Sequence, residues 1–95
     1  MTIQMFSYAG DFAENKDVAR ALRVEKIMPA LAKNEIVILD FEKVTGATQS
    51  FIHALISDAI RMYGDDVFDL LQFQDCSLTV EQVINIVADY MQESL

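Results

Sequence analysis

Residues 35–63 constrain this chain more than any other stretch. An apolar run, Ile36-Val37-Ile38-Leu39, ends in Asp40-Phe41, and a polar loop containing Gly46 then delivers Thr48-Gln49-Ser50 to an amphipathic segment. So short and unbroken an apolar run reads as a strand covered on both faces. From Ser50 onward, Phe51, Ile52, Leu55, Ile56, Ala59, Ile60 and Tyr63 form one apolar stripe at helical spacing, with His53, Ser57 and Arg61 on the far side and Gly64 as the stop. A strand, a loop and an amphipathic helix in that order are part of a βαβ unit, so the fold class is α/β. In open sheets of this class, ligands and partners gather beyond the carboxyl ends of the strands, where loops and positive helix amino ends converge. Contact or chemistry is therefore expected around Asp40 and the start of the helix.

The flanking segments extend the pattern. Ile3-Gln4-Met5-Phe6-Ser7-Tyr8 partly alternates and stops at Ala9-Gly10-Asp11, which predicts a first strand. Over residues 15–32, Val18, Ala19, Leu22, Ile27, Met28 and Leu31 fall at helical spacing, and Pro29 should kink or shorten the last turns because it lacks an amide donor. Asp65-Asp66 predicts a turn and residues 67–73 a third strand. Thr79 with Gln82 fits a capping box, and Val80, Val83, Ile84, Val87 and Met91 continue as a last helix. The expected order is β-α-β-α-β-α: one small domain over residues 1–95, a mainly parallel sheet with packed helices.

Charge narrows the partners. A net charge of −8 and a pI near 4.3 argue against nucleic acid and against anionic membrane surfaces, both of which need clustered cations. The charge is uneven: Lys16, Arg20, Arg23, Lys26 and Lys33 sit in residues 1–34, whereas residues 35–95 hold only Lys43 and Arg61 among the basic residues. The apolar fraction of 53% exceeds the usual ~45–50%, an excess that a buried sheet, a partner or a second copy could absorb. The lone Cys76 can form no internal disulfide and is expected to be structural or incidental. With no apolar run near ~20 residues and no basic-then-apolar leader, a cytoplasmic location is expected.

Catalytic constellations fail on composition. One histidine and one cysteine supply no His-x-x-x-His or Cys-x-x-Cys pair, and the glycines form no phosphate-cradling loop, so no metal, cofactor or enzymatic activity is expected. Ser50 and His53 share a helical face at i, i+3 but lack an orienting group and an oxyanion site. Asp40 stands at a strand end as the phosphoacceptor of receiver domains does. Strand one, however, leads into Ala9-Gly10-Asp11 and strand three into Gln74-Asp75-Cys76, without the acidic pair or the lysine such domains need. Asp40 is better read as an acceptor for loop amides or a helix amino end. At Thr48, Gln49 and Ser50, a hydroxyl fits a helix cap, and an added phosphate there would be held by free amides and the helix dipole.

The run Ile36-Val37-Ile38-Leu39-Asp40-Phe41-Glu42-Lys43-Val44, followed by Thr48-Gln49-Ser50-Phe51 and an apolar helix, resembles the STAS-like domains. These are a bacterial group of unknown function related to the STAS fold of anti-sigma-factor antagonists. The resemblance spans residues 12–92. In the STAS family a strand ending in a Leu-Asp-like pair leads to an Asp-Ser-Ser/Thr-Gly motif at a helix start, and a kinase-type anti-sigma partner phosphorylates the second hydroxyl. Aligning Leu39-Asp40 and Val44 puts Ser50 on that hydroxyl, with Thr48 in place of the motif's Asp and Phe51 in place of its Gly. The initial strand hairpin of full STAS domains is absent from the pattern. The resemblance implies a regulatory module, with Ser50 and then Thr48 as phosphoacceptors and an ATP-binding, kinase-like anti-sigma protein as partner. The polar helix start without catalytic equipment marks Asp40, Gln49, His53 and Ser57, beside the two hydroxyls, as the partner face. A small ligand-binding or catalytic-complex subunit and a structural homodimer are the alternatives.

Overall fold

The computed structural model describes residues 1–93. Its elements follow the chain as β1 (Thr2–Gln4), α1 (Met5–Ala9), β2 (Phe12–Ala13), α2 (Lys16–Leu22), a π turn (Arg23–Ile27), α3 (Met28–Ala32), β3 (Val37–Asp40), β4 (Gly46–Ala47), α4 (Gln49–Tyr63), a 3-10 segment (Gly64–Asp69), β5 (Leu71–Gln74) and α5 (Leu78–Glu93). The expected mixed α/β class with parallel strands is what the chain adopts.

Strands β1, β3 and β5 pair in that order, all parallel, so that Ile3 lies beside Leu39 and Leu39 beside Phe73. Right-handed crossovers that always step in the same direction deposit every connecting helix on one face of the sheet. Ile3, Val37, Leu39 and Leu71 are buried on that face and join Phe51, Ile52, Leu55, Ile56, Val80, Ile84 and Val87 in one core. The opposite face carries Thr2, Gln4, Gln72 and Gln74, all exposed, with Ile38 half-buried between them. The reading of β3 as covered on both faces is corrected here. The polar outward residues of β1 and β5 show why: an edge strand with glutamine outward needs no second helical layer.

Four further elements differ from the sequence expectation. The last helix begins at Leu78 and is capped by Ser77 in place of Thr79, the Ser77 Oγ accepting from the Val80 amide at 3.2 Å. The first strand stops at Gln4, because Met5 is fully buried and a one-turn helix swings it under the sheet. The third strand begins only at Leu71: residues 64–69 wind into a 3-10 segment that buries Val67, with Asp69 kept exposed at its end. Pro29 does not break its helix, since the preceding π turn widens the ladder, Met28 donates back to Arg23 O, and α3 starts a new register with Pro29 in its first turn. A proline costs least there, where its missing amide would have had no partner.

Candidate functional site

The two-residue strands β2 and β4, missed in the sequence because nothing so short has a period, organise the site. They pair in parallel, Phe12 with Gly46 and Ala13 with Ala47, and each runs almost directly into a helix, α2 and α4. Gly46 lets the Phe12 ring lie close: a Cβ there would stand 2.9 Å from two of its carbons, so the half-exposed ring would have to shift. The Thr48 amide donates to Ala13 O at 3.0 Å, and the Thr45 amide to Asp11 O at 2.7 Å, locking the entrance of α4 to the entrance of α2. The starts of the two helices are therefore side by side.

Each start is capped by its own side chain. Asn15 Oδ1 accepts from the Asp17 amide at 2.9 Å, and Thr48 Oγ1 accepts from the Phe51 amide at 3.0 Å. Thr48 is thus the cap of α4, in the extended conformation a cap adopts. Ser50, two residues on, is relieved of that task and is exposed, as are Gln49 and His53. Phe51 is fully buried and anchors α4 in the core. Along the flank of α4, Ser50 and His53 open on a groove of about 480 Å³ whose other walls are Lys16 of α2 and Ile86, Val87 and Tyr90 of α5. Lys16, Ile86 and Tyr90 were not legible as site residues, because only the packing of α2 and α5 beside α4 brings them there.

Two residues of the expected face lie elsewhere. Ser57 is buried, 3% exposed, although it falls on the polar side of the α4 pattern. The reason is tertiary: α2 and the π turn pack along that flank, with Arg23 Nη1 donating to Ala54 O at 3.1 Å and Arg23 Nε paired with Asp58 at 3.3 Å. Asp40 is also buried, 5% exposed, at the end of the central strand. Its Oδ1 accepts from the Glu42 amide at 2.9 Å and its Oδ2 from Gln74 Nε2 at 3.3 Å, the loop-amide role its position suggested. Asp40 and Ser57 are thus removed from the accessible face, which retains Thr48, Gln49, Ser50 and His53.

Beyond the carboxyl ends of β3 and β5, the carboxylates of Asp40, Glu42 and Asp75 lie within 4.8 Å of one another. Among the described residues this is the spacing closest to a cation site, and it was hidden in the sequence because Asp75 is distant along the chain. Asp40 is already engaged by its two donors there. The same crowding governs Cys76 nearby: burial first, then the charges of Glu81, Asp40 and Asp75, push its thiol from an ordinary 9.0 up to about 11. That thiol is a poor nucleophile at neutral pH. No helix among the described residues is long and apolar enough to cross a membrane.

Compared with known proteins, residues 18–81 match the family model of a STAS-like domain of unknown function (DUF4325). No curated protein and no solved structure matches the chain.

Proposed function

The chain belongs to the STAS-like domain family of unknown function, and from that premise we propose that it is a non-enzymatic regulatory module of the bacterial cytoplasm. It docks on a partner protein through the amino-terminal half of α4 and is switched by charge at Ser50. The observation that carries this reading is the division of labour at the helix start. Thr48 holds the cap, so the Ser50 hydroxyl has no structural duty, is exposed, and faces a groove that also presents Lys16. A phosphate on Ser50 would meet the free amides and positive end of α4 and the Lys16 ammonium, so the fold would tolerate it while the docking surface gained a new charge. An ATP-binding, kinase-like anti-sigma protein is the partner class that the resemblance to the STAS family suggests for such a switch.

The test is capture from extracts of the native cells with tagged wild type, Ser50→Ala and Ser50→Asp, quantified by mass spectrometry. Ser50→Ala should recover the wild-type partners and Ser50→Asp should lose the principal one. Equal recovery by both variants would remove the switch. Equal recovery by a Gln49→Ala, His53→Ala double variant would remove the face.

A further inference from the structure

We infer that the free edge of β1 is a contact surface for a second copy of the chain, joined strand to strand across a two-fold axis. The order β1-β3-β5 leaves two unpaired edges among the described residues, and only the β1 edge is open to a copy of itself. The Ile38 amide donates to Met1 O at 2.8 Å, with Thr2 in register beside Ile38. In a parallel pair that pattern turns the backbone groups of residues 1 and 3 towards β3, so the Thr2 N–H and C=O and the Gln4 N–H point away from it. Thr2 and Gln4 are both exposed. Folded proteins guard such edges with charged side chains, proline or a bulge. Here residues 1–10 hold neither a charged side chain nor a proline, although 23% of the chain is charged, and the pairing with β3 is regular.

Electrostatics separates the two edges. Strand β5 has Asp65, Asp66 and Asp69 before it and Asp75 after it, and no lysine or arginine follows Arg61. An antiparallel copy at that edge would turn Asp69 of one strand towards Asp75 of the other, like charge on like. Around β1 the signs balance. Lys33 and Glu35 precede its neighbour β3, Glu42 and Lys43 follow it, and the terminal ammonium is engaged by Ile36 O at 2.8 Å. Beyond β1 are Asp11 and two lysines seated on aromatic rings, Lys26 over Tyr8 at 6.0 Å and Lys43 over Phe6 at 5.9 Å.

The two ends of the edge also match each other. Met1 and Ile36 are each 48% exposed where β1 and β3 begin, and Phe6 is 41% exposed just past the end of β1. A two-fold axis at Ile3 brings the Met1–Ile36 end of one copy to the Phe6 end of the other, apolar surface to apolar surface, and sets each Gln4 amide against the Thr2 carbonyl of the opposite strand. That self-complementarity selects a second copy over an unrelated strand. The strand is three residues long and the Gln4 carbonyl already opens α1, so the association is weak and reversible.

The test is sedimentation equilibrium of the full chain, with any tag at the carboxyl end. Wild type should show a monomer–dimer equilibrium at concentrations up to about 1 mM. Gln4 has φ −81, which proline adopts, and its amide faces away from β3, so Gln4→Pro removes the outward donor and little else. It should weaken dimerisation at least about tenfold. Gln4→Lys, which sets a cation on each side of the axis, should do the same, whereas Gln72→Lys on β5 should not. Dilution of ¹⁵N-labelled wild type should move the amides of Thr2, Gln4 and Phe6. A wild type that stays monomeric, Gln4 variants that dimerise as wild type does with well-dispersed spectra, or shifts confined to α4 and α5 would each overturn the inference. If Gln4→Pro does not fold, Gln4→Lys, at an exposed position, carries the same decision. The edge shares no residue with the start of α4, so Ser50→Asp should dimerise normally whatever it does to partner capture, and loss of the dimer in that variant would place the contact on α4 and sink the β1 reading alone.

Discussion

Two hydroxyls two residues apart have different fates because one amide is within reach of only one of them. Thr48 Oγ1 takes the Phe51 amide, so Thr48→Ala should cost about 1 kcal/mol, the usual value of a helix cap, whereas Ser50→Ala should change stability by less than about 0.5 kcal/mol. Urea unfolding of the two variants decides this, and equal losses would mean that the capping role is shared. Cys76 offers a second residue-scale prediction. Its pKa is raised on folding, from 9.0 to about 11, so the unfolded chain releases the thiol proton first as pH rises. The stability this contributes is complete below pH 9.0 and is lost as pH climbs towards 11. Between those values wild type should lose stability more steeply than Cys76→Ser, and alkylation of the native thiol at pH 8 should be markedly slower than that of the unfolded chain. Parallel pH profiles and equal alkylation rates would show that the thiol is not shielded.

At the scale of the elements, the apolar run of β3 and the stripe of α4 look equally committed to the core in sequence, and the sheet separates them. Phe51 is fully buried and Phe51→Ala should cost about 3–5 kcal/mol. Ile38 lies on the open face, flanked by Thr2 and Gln72, and Ile38→Ala should cost only about 1 kcal/mol because part of its side chain never leaves water. Comparable shifts in the urea midpoint for the two variants would mean that the second face of the sheet is covered after all. The helix stripes were legible because a 3.6-residue period survives over several turns, as in Val80, Ile84, Val87 and Met91, all buried. The one-turn α1, the π turn and the strands β2 and β4 were not, since each is too short to show a period and is held by contacts from other parts of the chain.

Over the whole molecule the layers are unequal. Helix α4 is packed against α5, α2 and the 3-10 segment, while the sheet beneath has a bare face and the strands β2 and β4 contribute two residues each. Amide hydrogen exchange should therefore be slowest in the middle of α4 and in β3, and fastest in α1 and in the β2–β4 pair. Protection of β1 and β5 as strong as that of α4 would contradict the open face. The amino-acid sequence alone determined the α/β class, the parallel connection through β3, the buried stripe of α4 and the choice of its amino end as the place to look, because period, apolar runs and turn residues are local properties. Tertiary structure decided which residues reach the surface there. Ser57 vanished under α2 and Asp40 into the sheet, while Lys16, Ile86 and Tyr90 arrived from helices distant in sequence. The reason is that a groove is made by the relative placement of elements, and no pattern within one element encodes what its neighbour will cover.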